Sequence, residues 1–250
     1  KCRDGIQQSP IDLPYIQYSR IKEISTLEFD LSPFKQIDSK SDYDLIETDY
    51  HPNIEFYPIE SFSRHSTLDG ALVENTNIKF MLRNGALKIL HNKMGKMVTP
   101  LGEVFYAEEI LFHTPSEHTI GGKKFDMEIQ VIFYGQTKGD ISKQAIVSYL
   151  FESSPGYYNS FIDDLDIQNL PDREIPTKEL RKDLLISKIF KTRESTSESI
   201  LSELSFKPFS FYLYQGSLTF PPCSENTQVY VNTEILKLSP TIIQLFQEAI

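Results

Sequence analysis

The sequence predicts a single β-dominated mixed domain with helices at its periphery. Three observations carry this. Short runs rich in Val, Ile, Phe and Tyr, bounded by Gly, Pro and Asn, follow one another from residue 78 to residue 231. The 250 residues include 17 Phe and 13 Tyr but no Trp, so large side chains that favour strands dominate the core. Helical spacing of apolar residues is confined to a few flanking segments. A chain of this length buries one sizeable core without having to split, and residues 1–250 read as one domain.

The elements follow in order. The first third is loop-rich, and Ser39 to Gly70, with Asp, Ser, Pro and His in weak periodicity, reads as an inserted excursion. Ile78–Arg83 and Leu87–His91 are strands, and Asn84-Gly85 between them is a hairpin turn signal. Val104–Thr114, Asp126–Gly135 and Gln144–Glu152 continue the β pattern. Tyr157–Ile167 has helical spacing. Thr177–Leu204 is charged and amphipathic in pieces, with Leu180, Leu184, Leu185, Ile189, Ile200, Leu201 and Leu204; Thr192–Ser199 divides it into two predicted helices. About 185–205 forms a second excursion. Phe209–Gly216 and Thr227–Val231 are the last strands. Ser239 is the expected N-cap of a terminal helix, with Pro240 at its first position and Ile242, Ile243, Leu245 and Phe246 as its apolar stripe.

Charge narrows the partners. A formal net charge of −10 repels phosphate backbones and sulfated glycans unless basic residues are concentrated locally. Lys88, Lys93 and Lys96, and then Lys178 to Lys191, are interleaved with neutral or acidic residues and read as solvated faces. Nucleic acid is therefore not an expected partner. The longest apolar runs are far too short to cross a bilayer. The chain opens at Lys1-Cys2 without a signal-peptide pattern, as a processed or trimmed chain would. It holds no Asn-x-Ser/Thr acceptor for N-glycosylation. The two cysteines, Cys2 and Cys223, could by count alone be thiols or a bridge.

Three stretches carry a resemblance. They are Gln8-Ser9-Pro10-Ile11-Asp12; Phe112 to Thr119 (FHTPSEHT) followed by Lys124 to Val131 (KFDMEIQV); and Tyr214 to Glu225 (YQGSLTFPPCSE). In this order and spacing the chain resembles the α-carbonic anhydrases over nearly its whole length. The resemblance implies a large, twisted, mostly antiparallel central sheet with peripheral helices and a conical cavity. In that family zinc is held at the cavity floor by an H-x-H pair on one strand and a third histidine on its neighbour. Alternate residues of a strand face the same way, so H-x-H aims two imidazoles at one point. The fourth zinc position holds water, whose pKa falls to about 7.

At the positions matching those ligands this chain has Leu111, His113 and Gln130. Leucine offers no lone pair, and an amide oxygen is a weak zinc ligand beside imidazole. Zinc is accordingly predicted to be absent and the chain to be a non-catalytic relative. Glu128 matches the carboxylate that orients the third histidine, and with Gln130 present it can accept from an amide. His118 matches a structural Ser-Glu-His turn. Thr219 and Glu117 match the pair that orients zinc-bound hydroxide, with Glu117 accepting the Thr219 hydroxyl proton. Ile132, Ile146 and Leu218 match the walls of the CO2 pocket, a role to set beside plain core packing. Phe220 should narrow the cavity mouth, and the proton-shuttle histidine should fall near Asn75 to Asn77, where none stands.

Cys2 and Cys223 match the bridge of exported family members. Such a bridge contributes about 4–5 kcal/mol in the chain-entropy view and implies an oxidising compartment: secreted, surface, lumenal, or the mitochondrial intermembrane space. The family's Trp-rich N-terminal segment and its last strands have no counterpart, and membrane association is expected only through missing termini or a partner. The functional expectation is a structural or protein-binding subunit, alone or in a larger assembly. Tyr43, Tyr50, Phe56, Tyr57 and Phe62 of the first excursion are candidate aromatic anchors. Two alternatives stand beside it: a weak hydratase or esterase on a metal site rebuilt from His113, Gln130 and His118, and a surface glycan or adhesion receptor.

Overall fold

The β-branched and aromatic runs of the sequence form the strands of a ten-stranded sheet. The computed structural model describes residues 9–14, 53–56, 78–99, 102–135, 143–180, 184–190, 192–194, 211–220 and 223–250. The strands are β1 (Asp12–Leu13), β2 (Asn53–Phe56), β3 (Lys79–Arg83), β4 (Ala86–Val98), β5 (Val104–His113), β6 (Thr119–Ile120), β7 (Lys123–Lys124), β8 (Met127–Gly135), β9 (Gln144–Ser153), β10 (Tyr157–Asn159), β11 (Thr177–Glu179), β12 (Thr192–Glu194), β13 (Phe211–Ser217), β14 (Glu225–Asn232) and β15 (Leu236–Leu238). The large sheet runs β11-β3-β4-β5-β8-β9-β14-β13, with β2 added on β4 and β15 on β9. Its ladders are antiparallel except those of β9 with β14 and β15. The predicted turn is in place: Asn84 and Gly85 both have positive φ, 56° and 75°, as a tight hairpin requires.

The central strands are buried on both faces, and alternation assigns each residue its side. Met127, Ile129, Val131 and Phe133 of β8, with Ala145, Val147, Tyr149 and Phe151 of β9, belong to the larger apolar core. The intervening Glu128, Gln130, Ile132, Ile146, Ser148 and Leu150 face the other way. A register shift in β5 between Ala107 and Glu109 reverses its parity, which directs Ile110 and Phe112 into the larger core and Leu111 to the opposite face.

The terminal helix α2 (Pro240–Ala249) follows a short α1 (Ser160–Asp163) and packs Ile242, Ile243 and Phe246 into the larger core. Ser239 caps α2 through its carbonyl, which accepts from Ile242 and Ile243, and its side chain makes no capping bond. Among the described residues no helix is long and apolar enough to cross a membrane.

Two predicted helices are corrected. Tyr157–Asn159 pairs antiparallel with Thr192–Glu194, so only Ser160–Asp163 coils, capped by the Asn159 side chain accepting from Phe161 and Ile162. Thr177–Glu179 is an edge strand on β3, and Ile186–Phe190 is a 3-10 turn. Tertiary pairing with distant strands overrides the helical spacing in both places. The second excursion is in part core, since Ile186 and Ile189 are fully buried.

Phe112 joins the layers. It is fully buried, with ring centroids 5.5 Å from Phe80, 6.4 Å from Phe161 and 5.3 Å from Phe246. We expect Phe112→Ala to destabilise the domain by about 3–5 kcal/mol, read as a lower urea midpoint at unchanged m-value.

Candidate functional site

Strands β5 and β8 bring the matched residues together. Leu111 lies opposite Gln130 and His113 opposite Glu128, and facing residues of an antiparallel pair share a side of the sheet. The row extends to Lys88 on β4, opposite Leu111, and to Ser148 on β9, opposite Gln130.

Glu128 is the electrostatic centre of this face. It is fully buried and both oxygens are saturated. Oε2 accepts from the backbone N–H groups of Glu117 (2.7 Å) and His118 (2.9 Å). Oε1 lies 2.6 Å from His118 Nδ1 and accepts from Ser148 Oγ at 2.6 Å and Gln130 Nε2 at 2.8 Å. Burial alone would raise its pKa. The charge and hydrogen bond of His118, the charge of His113 and the Ser148 hydroxyl outweigh that and hold it far below the usual carboxylate range.

His118 is equally committed. Its Nε2 is 2.7 Å from the Tyr214 hydroxyl, which lies 2.9 Å from Ser9 Oγ. Ser9 and Ser217 exchange two further bonds: Ser9 N–H donates to Ser217 Oγ at 3.0 Å, and Ser217 N–H to Ser9 Oγ at 3.1 Å. A Cβ at Gly216 would overlap the Ser9 hydroxyl and crowd the Tyr214 ring, so this close approach requires glycine.

Gln130 stands between the two residues expected to pair. Thr219 Oγ1 donates to Gln130 Oε1 at 3.2 Å, and Gln130 Nε2 donates to Glu117 Oε2 at 3.3 Å. The Thr219 hydroxyl therefore reaches Glu117 through the amide, a correction to the expected direct bond. The cause is the amide itself, which brings both a donor and an acceptor to the position. The fourth matched residue, His113, is left over. Its Nε2 is buried, makes no hydrogen bond among the described residues, and lies 3.6 Å from Glu117 Oε2.

The rest of the face is apolar. Leu111, Ile132, Ile146 and Leu218 are at most 2% exposed and form one cluster, with Phe220 packed against it. Lys88 seals its edge: Nζ sits 4.1 Å from the Phe220 ring centroid and 3.8 Å from Glu109 Oε2. Burial pushes its ammonium below the ordinary lysine value against the opposing pull of Glu109. The expectation that Lys88 belongs to a solvated face is corrected, since it is only 7% exposed; Ser148 and the Ser9–Tyr214 link had no signal in the sequence. Lys88 alternates with Leu87 and Ile89 on a strand, which placed it on the second face, but nothing in the chain showed that this face is covered.

Among the described residues no group of three His, Cys, Asp or Glu side chains could hold a metal ion. Cys223 is described, with φ 58°, and is not a free thiol; Cys2 lies outside the described residues. Asn75 to Asn77, Tyr43, Tyr50, Tyr57 and Phe62 also lie outside them, and Phe56 is described only as part of β2.

Glu128 gives a pH prediction. A carboxylate with a depressed folded pKa stabilises the fold above its ordinary value of 4.5, and this contribution is lost as pH falls below that value. Glu128→Gln is expected to cost about 3–5 kcal/mol at neutral pH by leaving His118 and its neighbours unpaired. It should also flatten the acid side of the stability profile, measured by urea unfolding from neutral pH downward.

The sequence model of the eukaryotic-type carbonic anhydrases matches residues 44–250. Alpha carbonic anhydrase 8 of Arabidopsis thaliana is 31% identical over 179 residues, 72% of this chain and 41% of that protein. Dioscorin dioA3 of Dioscorea japonica is 26% identical over 148 residues, 58% of this chain and 46% of that protein. The matched segment thus spans less than half the length of these curated relatives. Two solved structures share the fold over 98% of the chain: the α-carbonic anhydrase of Aspergillus oryzae (TM-score 0.64, 19% identity, 78% of that chain) and dioscorin complexed with ascorbate (TM-score 0.63, 19% identity, 77% of that chain). With the family's sequence model matching residues 44–250 and the fold shared with its solved structures, the chain belongs to the eukaryotic-type carbonic anhydrase family.

Proposed function

We propose that this chain is a non-catalytic carbonic-anhydrase-like module that acts as a structural or protein-binding subunit. One observation carries the reading: the two positions that should supply imidazoles hold an amide bonded on both its ends and a leucine sunk in an apolar cluster. This donor set does not fit zinc. Drawing Gln130 Oε1 onto a metal would break its bond with Thr219, and Leu111 has nothing to offer. The rebuilt-site alternative needs His118, whose two nitrogens already face Glu128 and Tyr214.

What remains of the machinery has a structural use. Glu117 and Thr219, joined through Gln130 to the fully buried Glu128, tie the Ser-Glu-His turn, β8 and the Thr219 loop into one partly buried network, where an unpaired buried group would cost about 1–3 kcal/mol. The site has become core, and function moves to the surface. The first excursion, with Tyr43, Tyr50, Phe56, Tyr57 and Phe62, is the proposed contact with a protein partner. A Cys2–Cys223 bridge and an oxidising compartment complete the proposal. The acidic net charge speaks against the sulfated-glycan form of the receptor alternative.

The test is elemental analysis of purified protein together with CO2 hydration on the same sample after zinc addition. Substoichiometric zinc and no rate above buffer are expected; one zinc per chain with measurable hydration would overturn the proposal. The bridge is checked separately. Non-reducing peptide mapping should join the Cys2 and Cys223 peptides, and Cys223→Ser should lower stability by about 2–5 kcal/mol.

A further inference from the structure

One motif of the sequence has no part in the buried network. Asn84-Gly85 is the one Asn-Gly pair in the chain. It forms the tip of the β3–β4 hairpin, where both residues are exposed. Asparagine before glycine is open to attack by the backbone on its own side chain, because glycine puts no Cβ beside the nucleophilic nitrogen. A Cβ at Gly85 would meet nothing within 4 Å among the described residues, so the space around that nitrogen is clear. The ladder resumes at Arg83 and Ala86, which leaves the Gly85 N–H outside it.

The closed turn holds the reacting atoms apart. Positive φ at both residues, 56° and 75°, is the type I′ form. Its ψ of about +30° at the first residue turns the next nitrogen away from the side chain. Attack therefore needs the tip to open, and the opening is confined. Arg83 is exposed and Ala86 half-buried. Leu82 pairs with the fully buried Leu87, and its N–H donates to the Pro176 carbonyl at 2.8 Å, just before β11. Loss of the Arg83–Ala86 pair frees the tip and leaves the sheet in place, and such ends open at low cost. Asn159-Ser160 is the contrast. Asn159 is fully buried, its Oδ1 accepts from Phe161 and Ile162, and its Nδ2 donates to the Ile189 carbonyl, so its carboxamide is held away from the Ser160 nitrogen.

We propose that Asn84 is a self-modification site of the folded protein, converted to aspartate and isoaspartate through opening of the hairpin tip. The Gly85 nitrogen bonds to Asn84 Cγ, the Cγ–Nδ2 bond breaks, and ammonia leaves with the Gly85 proton. Water then opens the cyclic imide at either carbonyl. Opening at the side-chain carbonyl gives aspartate, and Asp-Gly still suits the turn. Opening at the backbone carbonyl gives isoaspartate, which runs the main chain through Cβ and lengthens a turn that fits two ordinary residues.

The experiment incubates the full chain in warm, mildly alkaline buffer, folded and in unfolding urea. Peptide mass spectrometry follows Asn84, and protein-isoaspartate methyltransferase is the probe for isoaspartate. Asn84 should convert in the folded chain about tenfold more slowly than in urea, the population of a tip that opens for about 1.4 kcal/mol. Asn159 should stay intact until the chain unfolds. The folded rate should hold constant in urea below the unfolding transition, since opening one pair exposes little surface. No conversion at Asn84 in the folded chain would overturn the site, and so would a rate that climbs with urea in step with global unfolding. Asn84→Gln should remove methylation; methylation undiminished in that variant would place the modification elsewhere and overturn the assignment as well.

Discussion

A carboxylate with no solvent and five hydrogen-bond donors around it sets the terms for the second face of the sheet. Glu128 draws two backbone N–H groups, an imidazole, a hydroxyl and an amide onto its two oxygens. A buried charge persists only when it is paired and fully hydrogen-bonded, so each neighbour is fixed by the need to satisfy it. His118 must present Nδ1 to it, which leaves Nε2 for Tyr214, and Tyr214 in turn holds the Ser9 segment against β13. One electrostatic requirement thereby connects the N-terminal segment, the turn after β5, and strands β8, β9 and β13.

On the proposed non-catalytic reading, this dependence is why the site is retained as structure. In the family pattern the same carboxylate orients a histidine that holds zinc. Here it accepts from Gln130, and the amide passes the connection on to Glu117 and Thr219. Leu111 matches the change on the apolar side, closing against Ile132, Ile146 and Leu218 where a polar ligand would leave a gap. Lys88 over Phe220 covers the edge of that cluster with a cation whose stem is apolar and whose head is paired with Glu109. On the polar side His113 Nε2 remains buried without a hydrogen bond among the described residues, 3.6 Å from Glu117 Oε2.

Much of this was legible before any coordinates. The central β runs fall where they were expected, Asn84-Gly85 turns as its residue types require, and alternation on β5 puts Leu111 and His113 on one side. What was not legible shares a physical character. Tyr157–Asn159 and Thr177–Glu179 are strands because partners far away in sequence offer them ladder hydrogen bonds, and no local periodicity records that. The Thr219–Gln130–Glu117 order was hidden for the same reason, since it depends on the reach of an amide between two segments that meet only in the fold.

The sequence by itself determined the central strands, the family pattern and the residues that stand at the positions resembling the ligand set, because these follow from side-chain type and from the period-two geometry of a strand. The tertiary structure decided how those residues satisfy one another. Hydrogen-bond partners, the closure of the Leu111 cluster and the stranding of His113 Nε2 all depend on distances between elements, and such distances are set by packing of the whole sheet and not by any stretch of chain.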